Sequence, residues 1–321
     1  LSNILPLDPN LEFNVEPIWD ATYPPKYRVP EQTLRHKLIN NTFLPELSFT
    51  LTNSFGPQAF IAAKADPYGV LFGEPNLNRI HISQFACTKL KHGKKLLEHL
   101  LAQVPKSQPI VFGQDQGHMF PGVPTECPEL INLLESLGFH RDGDLAYDLE
   151  RDLRDFSINP DWLTPLSEPD LQVKTCSPTD INALEEFFIR EFPGRWHYDT
   201  VIEKCKEWKE FEDIIALWQG DSIEGFAYTQ NYSTSHHPTA GYVWQEDLGP
   251  QSGALGPIGV SQRVRGRKLG GALLVAGLQH LQRLGVHRCI IDWTSLVDFY
   301  GKYGFRVNRR YQPMTRPANL D

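Results

Sequence analysis

The sequence predicts a two-domain protein of mixed α/β (α+β) class, on three observations. Its 321 residues exceed the size at which one hydrophobic core keeps growing, so two domains of about 150 residues are expected. In the second half, apolar residues alternate between helical and period-two spacing. The two halves also end alike: Pro128 to Phe139 and Leu296 to Phe305 each read as a short helix closed by a Gly-Phe pair. Glycine there takes the left-handed cap conformation and the phenylalanine opens an apolar strand. The pairs lie 166 residues apart, too far for a solenoid repeat, which suggests duplication of a whole domain. A polar, proline-bearing stretch from Asp152 to Pro169 suits a linker, so the domains are placed at residues 1–155 and 156–321.

Along the second half, helices are expected from about Pro178 to Arg190 and from Asp199 to Phe211. Strands follow near Ile214 to Trp218 and Ile223 to Asn231. A further strand, Ala254 to Val260, leads into a helix from about Lys268 to Leu284, in which Leu274, Leu278, Leu281 and Gly285 mark one face. Strand Cys289 to Trp293 then returns, which requires at least one parallel crossover.

Composition removes several classes of function. The formal charge is −8, so the molecule as a whole does not attract nucleic acid or an anionic membrane, and any local cluster of cations stands out. Five cysteines (Cys87, Cys127, Cys176, Cys205 and Cys289) are widely spaced with no C-x-x-C pair, which argues against a disulfide framework and against zinc. A reducing compartment, cytoplasmic or nuclear, fits best. No apolar run is long enough to cross a bilayer, and Leu1-Ser2-Asn3 lacks both a starting Met and the regions of a signal peptide. The chain is therefore read as a piece of a longer protein.

The most informative stretch runs from Gly256 to Leu274. It places Arg263, Arg265, Arg267 and Lys268 together with Gly266, Gly270 and Gly271 between a strand and a helix. The first N–H groups of a helix lack partners and its dipole is positive there, so a polyanion is held at that end. Glycine allows close approach and the cations add charge-assisted hydrogen bonds. The alternative is a basic turn that only caps the helix.

Arg265-Gly266-Arg267-Lys268-Leu269-Gly270 resembles the R-x-x-G-x-G/A signature with which GNAT acetyltransferases bind the pyrophosphate of coenzyme A. It departs at Lys268, where that signature usually has glycine; starting instead at Arg263 recovers Gly266 but puts Lys268 in the final small position. Downstream, Phe299-Tyr300-Gly301-Lys302-Tyr303-Gly304-Phe305 is similar to the F-Y-x-x-x-G-F ending of the same superfamily. The resemblance implies tandem GNAT folds, each a mixed, mostly antiparallel central sheet flanked by helices, with acetyl-CoA as co-substrate and no metal. It further implies a coenzyme site of Ile258, Gly259, Val260, Arg263, Arg265, Gly266, Arg267, Lys268, Leu269, Gly270 and Gly271. Backbone groups of Ile258 to Val260 would serve the pantetheine arm and the thioester oxygen. The pattern Leu255 to Val260, with Asp292-Trp293-Thr294 before the last helix, looks like two-domain glucosamine/glucosaminide N-acetyltransferases, which also occur fused to a family 3 glycoside hydrolase. The first half resembles a degenerate copy: Phe85 to Leu97 keeps Lys91, Lys94 and Lys95 but one glycine, and Leu133-Leu134 replaces the Phe-Tyr pair.

Acetyl transfer to an amine needs a neutral nucleophile, a polarised carbonyl and a proton for the leaving thiolate. Tyr300 is the candidate acid and Asp292, ending the strand beside the coenzyme strand, the candidate base. Glu246 and Asp247 are candidates for sugar hydroxyls or the ammonium group, and Trp244 and Trp293 for a platform under a sugar ring, although buried tryptophans are commonly core. His236-His237 reads as a loop without metal-ligand spacing, and His118 is left undecided. The expected acceptor is a small amino sugar. Two other readings stay open: a protein or histone N-acetyltransferase, and a module that senses acetyl-CoA or N-acetylglucosamine without turnover.

Overall fold

The computed structural model of the chain describes residues 2–8, 10, 13–38, 42–65, 79–115, 119–233, 235, 237 and 242–318. Two compact units result. One comprises Leu1–Asp148, Trp293–Leu296 and Val307–Asp321; the other comprises Leu149–Asp292 and Val297–Arg306.

The first unit runs β1 (Asn3–Pro6), α1 (Glu16–Thr22), α2 (Glu31–Leu38), β2 (Phe49–Asn53), β3 (Gly56–Ala65), β4 (Ile80–Cys87), α3 (Leu90–Gln103), β5 (Ile110–Phe112), β6 (Val123–Pro124), α4 (Pro128–Ser136) and β7 (His140–Arg141). β8 (Ala146–Asp152) leads out of it. β4 is wholly buried and β3 is buried from Ala59 to Lys64, as expected of central strands covered on both faces. α3 turns Leu96, Leu97 and Leu100 onto the sheet. Gly93 lets it approach closely, since a Cβ there would lie 2.8 Å from both the Cys87 sulfur and the Phe85 ring. α4 closes as the Gly-Phe pattern predicts. Gly138 has φ +86° and the Phe139 N–H bonds to the Leu134 carbonyl at 3.1 Å.

The second unit contains β9 (Leu171–Thr175), α5 (Ile181–Glu191), α6 (Arg195–His197), β10 (Ile214–Gln219), β11 (Ser222–Asn231), α7 (Gln245–Leu248), β12 (Ser252–Val260), α8 (Leu269–Arg283), β13 (Arg288–Thr294, its last two residues in the first unit) and α9 (Val297–Gly301). Alternation along β10 builds two cores. Ile214 and Ala216 pack with Phe187, Phe188 and Phe226 on one face, while Ile215 and Leu217 pack with Leu269 and Leu273 of α8 on the other. The helix expected over 199–211 is a widened, π-type segment, Tyr198–Glu207, that follows α6 directly. α9 closes like α4: Gly304 has φ +84° and the Phe305 N–H bonds to the Tyr300 carbonyl at 3.3 Å.

β14 (Arg306–Gln312) and β15 (Met314–Arg316) end the chain. β15 pairs antiparallel with both β5 and β7, completing a seven-stranded sheet ordered β1-β2-β3-β4-β5-β15-β7. In the second unit the strands run β13-β12-β11-β10-β9. β4/β5 and β12/β13 are parallel and the other described neighbours antiparallel, so both sheets are mixed, mostly antiparallel and flanked by helices, as the fold class requires.

Candidate active site

β12 and β13 begin as parallel neighbours and then separate. Ser252, Gly253 and Ala254 pair with Arg288, Cys289 and Ile290, and the register ends there. On its other edge β12 stays paired with β11 as far as Val260, with a register shift between Ala227 and Thr229. Residues Pro257 to Val260 are accordingly only half-buried, whereas Ser252 to Gly256 are buried. The result is a wedge in which one edge of β12 faces outward with its N–H and C=O groups. Among the described residues, no hydrogen bond from outside the ladder reaches the backbone of Ile258, Gly259 or Val260.

Beyond the wedge, three carboxylates pin the basic loop. Arg263 and the Ser261 hydroxyl both bond to buried Glu224. The Gln262 N–H donates to Glu191 at 2.8 Å, and Arg267 pairs with Glu168 at 2.6 Å. Arg263 and Arg267 thus shape the loop, while Arg265 and Lys268 are exposed and, among the described residues, take no ion pair. Gly266 has φ +80° with no atom near its missing Cβ, and Lys268 precedes α8 in the left-handed conformation at φ +61°. That turn aims the first N–H groups of a 15-residue helix, those of Leu269, Gly270 and Gly271, away from the helix body. Leu269 itself is buried and anchors the first turn.

Two ionisable groups stand at the wedge. An oxygen of Asp292 lies 3.9 Å from where a Cβ on Gly256 would be, at the point where β12 and β13 part. Tyr300, on α9, is buried. Burial, and then the Asp292 carboxylate, push its phenol up to about 12. Such a phenol keeps its proton at neutral pH and can donate it.

The other expected residues fall elsewhere. Trp244 is 1% exposed and is core. Asp247 takes two hydrogen bonds from Arg288, one on its carboxylate and one on its carbonyl, and Arg288 pairs with Ser252 at the start of β12, away from the splayed end. Glu246 is exposed beside it on α7. Trp293 belongs to the first unit, where its N–H donates to Asp148 at 3.2 Å. Its φ of +46° is strained for a tryptophan. His237 lies against Glu210 at 2.7 Å and stacks on Trp208; His118 and His236 lie outside the described residues.

Sequence reading missed Phe192 and Trp196. A Cβ on Gly259 would lie 2.7 Å from the Phe192 ring and 3.2 Å from the Trp196 ring, so these half-buried aromatics cover one face of β12. Their rings sit 4.9 Å apart. The only signal was the segment Phe192-Pro193-Gly194-Arg195-Trp196 after a helix, which period analysis treats as a helix end.

Residues 181–305 match the model of the Acetyltransferase (GNAT) family. The chain is 30% identical over 119 residues to a mycothiol acetyltransferase of Corynebacterium glutamicum, covering 36% of this chain and 35% of that protein. It therefore spans about a third of that relative's length. Among solved structures it is similar to a GCN5-related glucosamine N-acetyltransferase region in a fungal multi-domain GH3 β-N-acetylglucosaminidase. There the TM-score is 0.80 at 20% identity, over 98% of this chain and 38% of that one. A tandem GNAT protein from the clavulanic acid biosynthesis pathway aligns with TM-score 0.63 at 13% identity, over 100% of both chains.

Proposed function

We propose, from the premise that residues 181–305 form a GNAT-type acetyltransferase domain, that the chain is an acetyl-CoA-dependent N-acetyltransferase whose acceptor is the amino group of glucosamine or a related amino sugar. The observation that carries the reading is the splayed β12 edge, continuous with the N-terminus of α8 and flanked by Asp292 and Tyr300. These residues fit the coenzyme. An extended pantetheine arm needs backbone donors and acceptors along an unpaired strand edge, which the edge of Ile258 to Val260 turned away from β11 supplies, and a pyrophosphate needs N–H groups and cations without other partners. Gly266, Leu269, Gly270 and Gly271 would supply the former, and Arg265 and Lys268 the latter. When bound, acetyl-CoA supplies an activated acetyl thioester.

The chain's own groups then divide the work. The β12 N–H groups stabilise negative charge as it develops on the carbonyl oxygen. Asp292, directly or through water, takes a proton from the amine so that a neutral nitrogen attacks. As the C–S bond breaks, the Tyr300 phenol gives its proton to the departing sulfur, and the proton shed by the new amide nitrogen restores the phenol. Phe192 and Trp196, pressed against Gly259, offer apolar faces beside the reacting carbonyl, a surface suited to the C–H face of a sugar ring. The amino-sugar assignment is supported by the glucosamine N-acetyltransferase region with which nearly the whole chain aligns. In this reading the first unit carries no second catalytic centre.

The test is release of coenzyme A thiol from acetyl-CoA with glucosamine, a glucosaminide and a lysine-rich peptide as parallel acceptors. Turnover with the sugars alone is expected. Turnover only with the peptide would replace the amino sugar by a protein acceptor, and coenzyme binding with no product from any amine would make the domain a sensor.

A further inference from the structure

The second unit holds another cleft, of about 450 Å³, where α8 ends. Leu163, Leu166, Val173 and Ile215 give it an apolar floor. Three basic side chains line it, Lys174, His280 and Arg283, and no carboxylate does. In a chain of net charge −8 that imbalance is unexpected of an ordinary surface. A cation in the last turn of a helix does complement its dipole, which accounts for Arg283. It does not account for Lys174, which comes from β9, a separate element, and lines the same cleft.

None of the three is firmly committed within the protein. Arg283 is exposed and, among the described residues, forms no ion pair. Lys174 lies over the Trp218 ring at 4.2 Å and reaches Asp180 only at 3.8 Å. Burial, and then the Arg283 guanidinium, hold the His280 imidazole below its usual range, so at neutral pH it is a neutral ring with a hydrogen bond to give. Thr175 and Gln279 add a hydroxyl and an amide with no protein partner among the described residues.

We infer that this cleft binds a small amphipathic anion, a carboxylate or phosphate ester on an apolar body. The apolar part lies on the leucine floor and the anionic head bridges Lys174 and Arg283. The site is separate from the coenzyme wedge: Gly270 and Gln279 are nine residues apart on α8, about 14 Å along the axis at 1.5 Å per residue. It stands independently of the proposed acetyl transfer.

The experiment is calorimetric titration of sodium octanoate and of octylammonium, which share a chain and differ in the sign of the head. Coenzyme A is kept saturating so that the wedge is filled. Wild type is compared with Lys174→Gln/Arg283→Gln; both positions are exposed, and unchanged coenzyme affinity and thermal transition certify the variant's fold. Octanoate is expected to bind at one per chain, about tenfold more weakly in the double variant, with octylammonium silent. Affinity should also fall as salt approaches about 1 M, where the screening length is about 3 Å. Failure of octanoate to bind wild type, equal binding of octylammonium, or undiminished affinity in the double variant would overturn the assignment.

Discussion

Each unit contains a parallel strand pair that splays, and the two splays have opposite fates. β4 pairs with β5 through Ile80–Ile82 and β12 pairs with β13 through Ser252–Ala254, three residues in each case. Just past the pairing, each partner strand carries a non-glycine residue at positive φ, Gln114 at +58° and Trp293 at +46°. In the second unit the departing strand edge takes, among the described residues, no hydrogen bond from outside the ladder. In the first, the end of α1 fills it. Tyr23 donates to the Phe85 carbonyl at 2.7 Å, and the Thr22 hydroxyl donates to the Cys87 carbonyl at 3.1 Å and accepts the Cys87 N–H at 2.8 Å. The backbone groups that a pantetheine arm would use in one unit are satisfied by the chain itself in the other. In the first unit the chain itself thus takes the place that the proposed ligand would take in the second, which also removes the cost of leaving buried backbone groups unpaired.

The largest expected effect that tests this contrast is on chemistry. Tyr300→Phe should lower kcat about 100-fold, within the range for loss of a general acid, with coenzyme affinity changed less than about threefold. The raised phenol also sets a pH signature, because protonated tyrosine is the active form and persists far above neutrality. No loss of kcat assignable to Tyr300 should occur between about pH 7 and 10. A phenol raised above its unfolded value contributes stability in full below about pH 10, and that contribution fades as pH climbs towards 12. A kcat that survives Tyr300→Phe would put the acid elsewhere. Next is affinity. A side chain on Gly270 has room, the nearest atom being a Val260 methyl at 4.0 Å from the Cβ position. Gly270→Asp therefore keeps the fold, and an acid in the first turn favours the helix, yet it should repel pyrophosphate and weaken coenzyme A about 30-fold. Leu90→Asp, at the start of α3 in the first unit, should leave coenzyme affinity unchanged. If both variants weaken binding alike, the two units do not differ as argued.

How much of this was legible in the sequence depends on whether the cause is local. The cap geometry of α4 and α9 was readable because glycine at a helix end reports its own φ. The span of α8 was readable because one apolar face repeats along it. The loop cations were visible as a cluster, but not their division into Arg263 and Arg267, which hold Glu224 and Glu168, and Arg265 and Lys268, which do not. Those partners lie 39 and 99 residues away in the chain, and no periodicity encodes them. Trp244 was a fair candidate for a platform by residue type; only its burial assigns it to the core. The wedge was hidden altogether, because where two strands stop pairing is set by tertiary packing.

Smaller in effect is the plug itself. Tyr23→Phe removes the hydrogen bond to Phe85 and leaves a buried carbonyl without that partner, at a cost of about 1–2 kcal/mol in denaturant unfolding. Coenzyme stoichiometry should stay at one per chain, because the first unit also lacks the glycine-rich turn. A rise to two in Tyr23→Ala would mean that the plug alone separates the two units.

The smallest expected difference between the units concerns how tightly each helix start is seated. At Gly93 an added Cβ meets the buried Cys87 sulfur and Phe85 ring, neither of which can withdraw from the core. At Gly271 it meets the Tyr303 hydroxyl, the far end of a half-buried side chain that can swing aside. Gly93→Ala should therefore cost about 2 kcal/mol, in the range for overpacking a filled core, and no conservative partner change should relieve it. Gly271→Ala should cost about 1 kcal/mol or less, because the better helix propensity of alanine offsets part of the displacement. Adding Tyr303→Phe takes away the oxygen and leaves the ring carbon 3.4 Å from the new methyl, an ordinary contact, so the double variant should recover the loss. Equal costs at the two glycines, or no recovery, would mean that the start of α8 is as tightly packed as that of α3, and the openness assigned to the second unit would then have to reside in the strand edge alone.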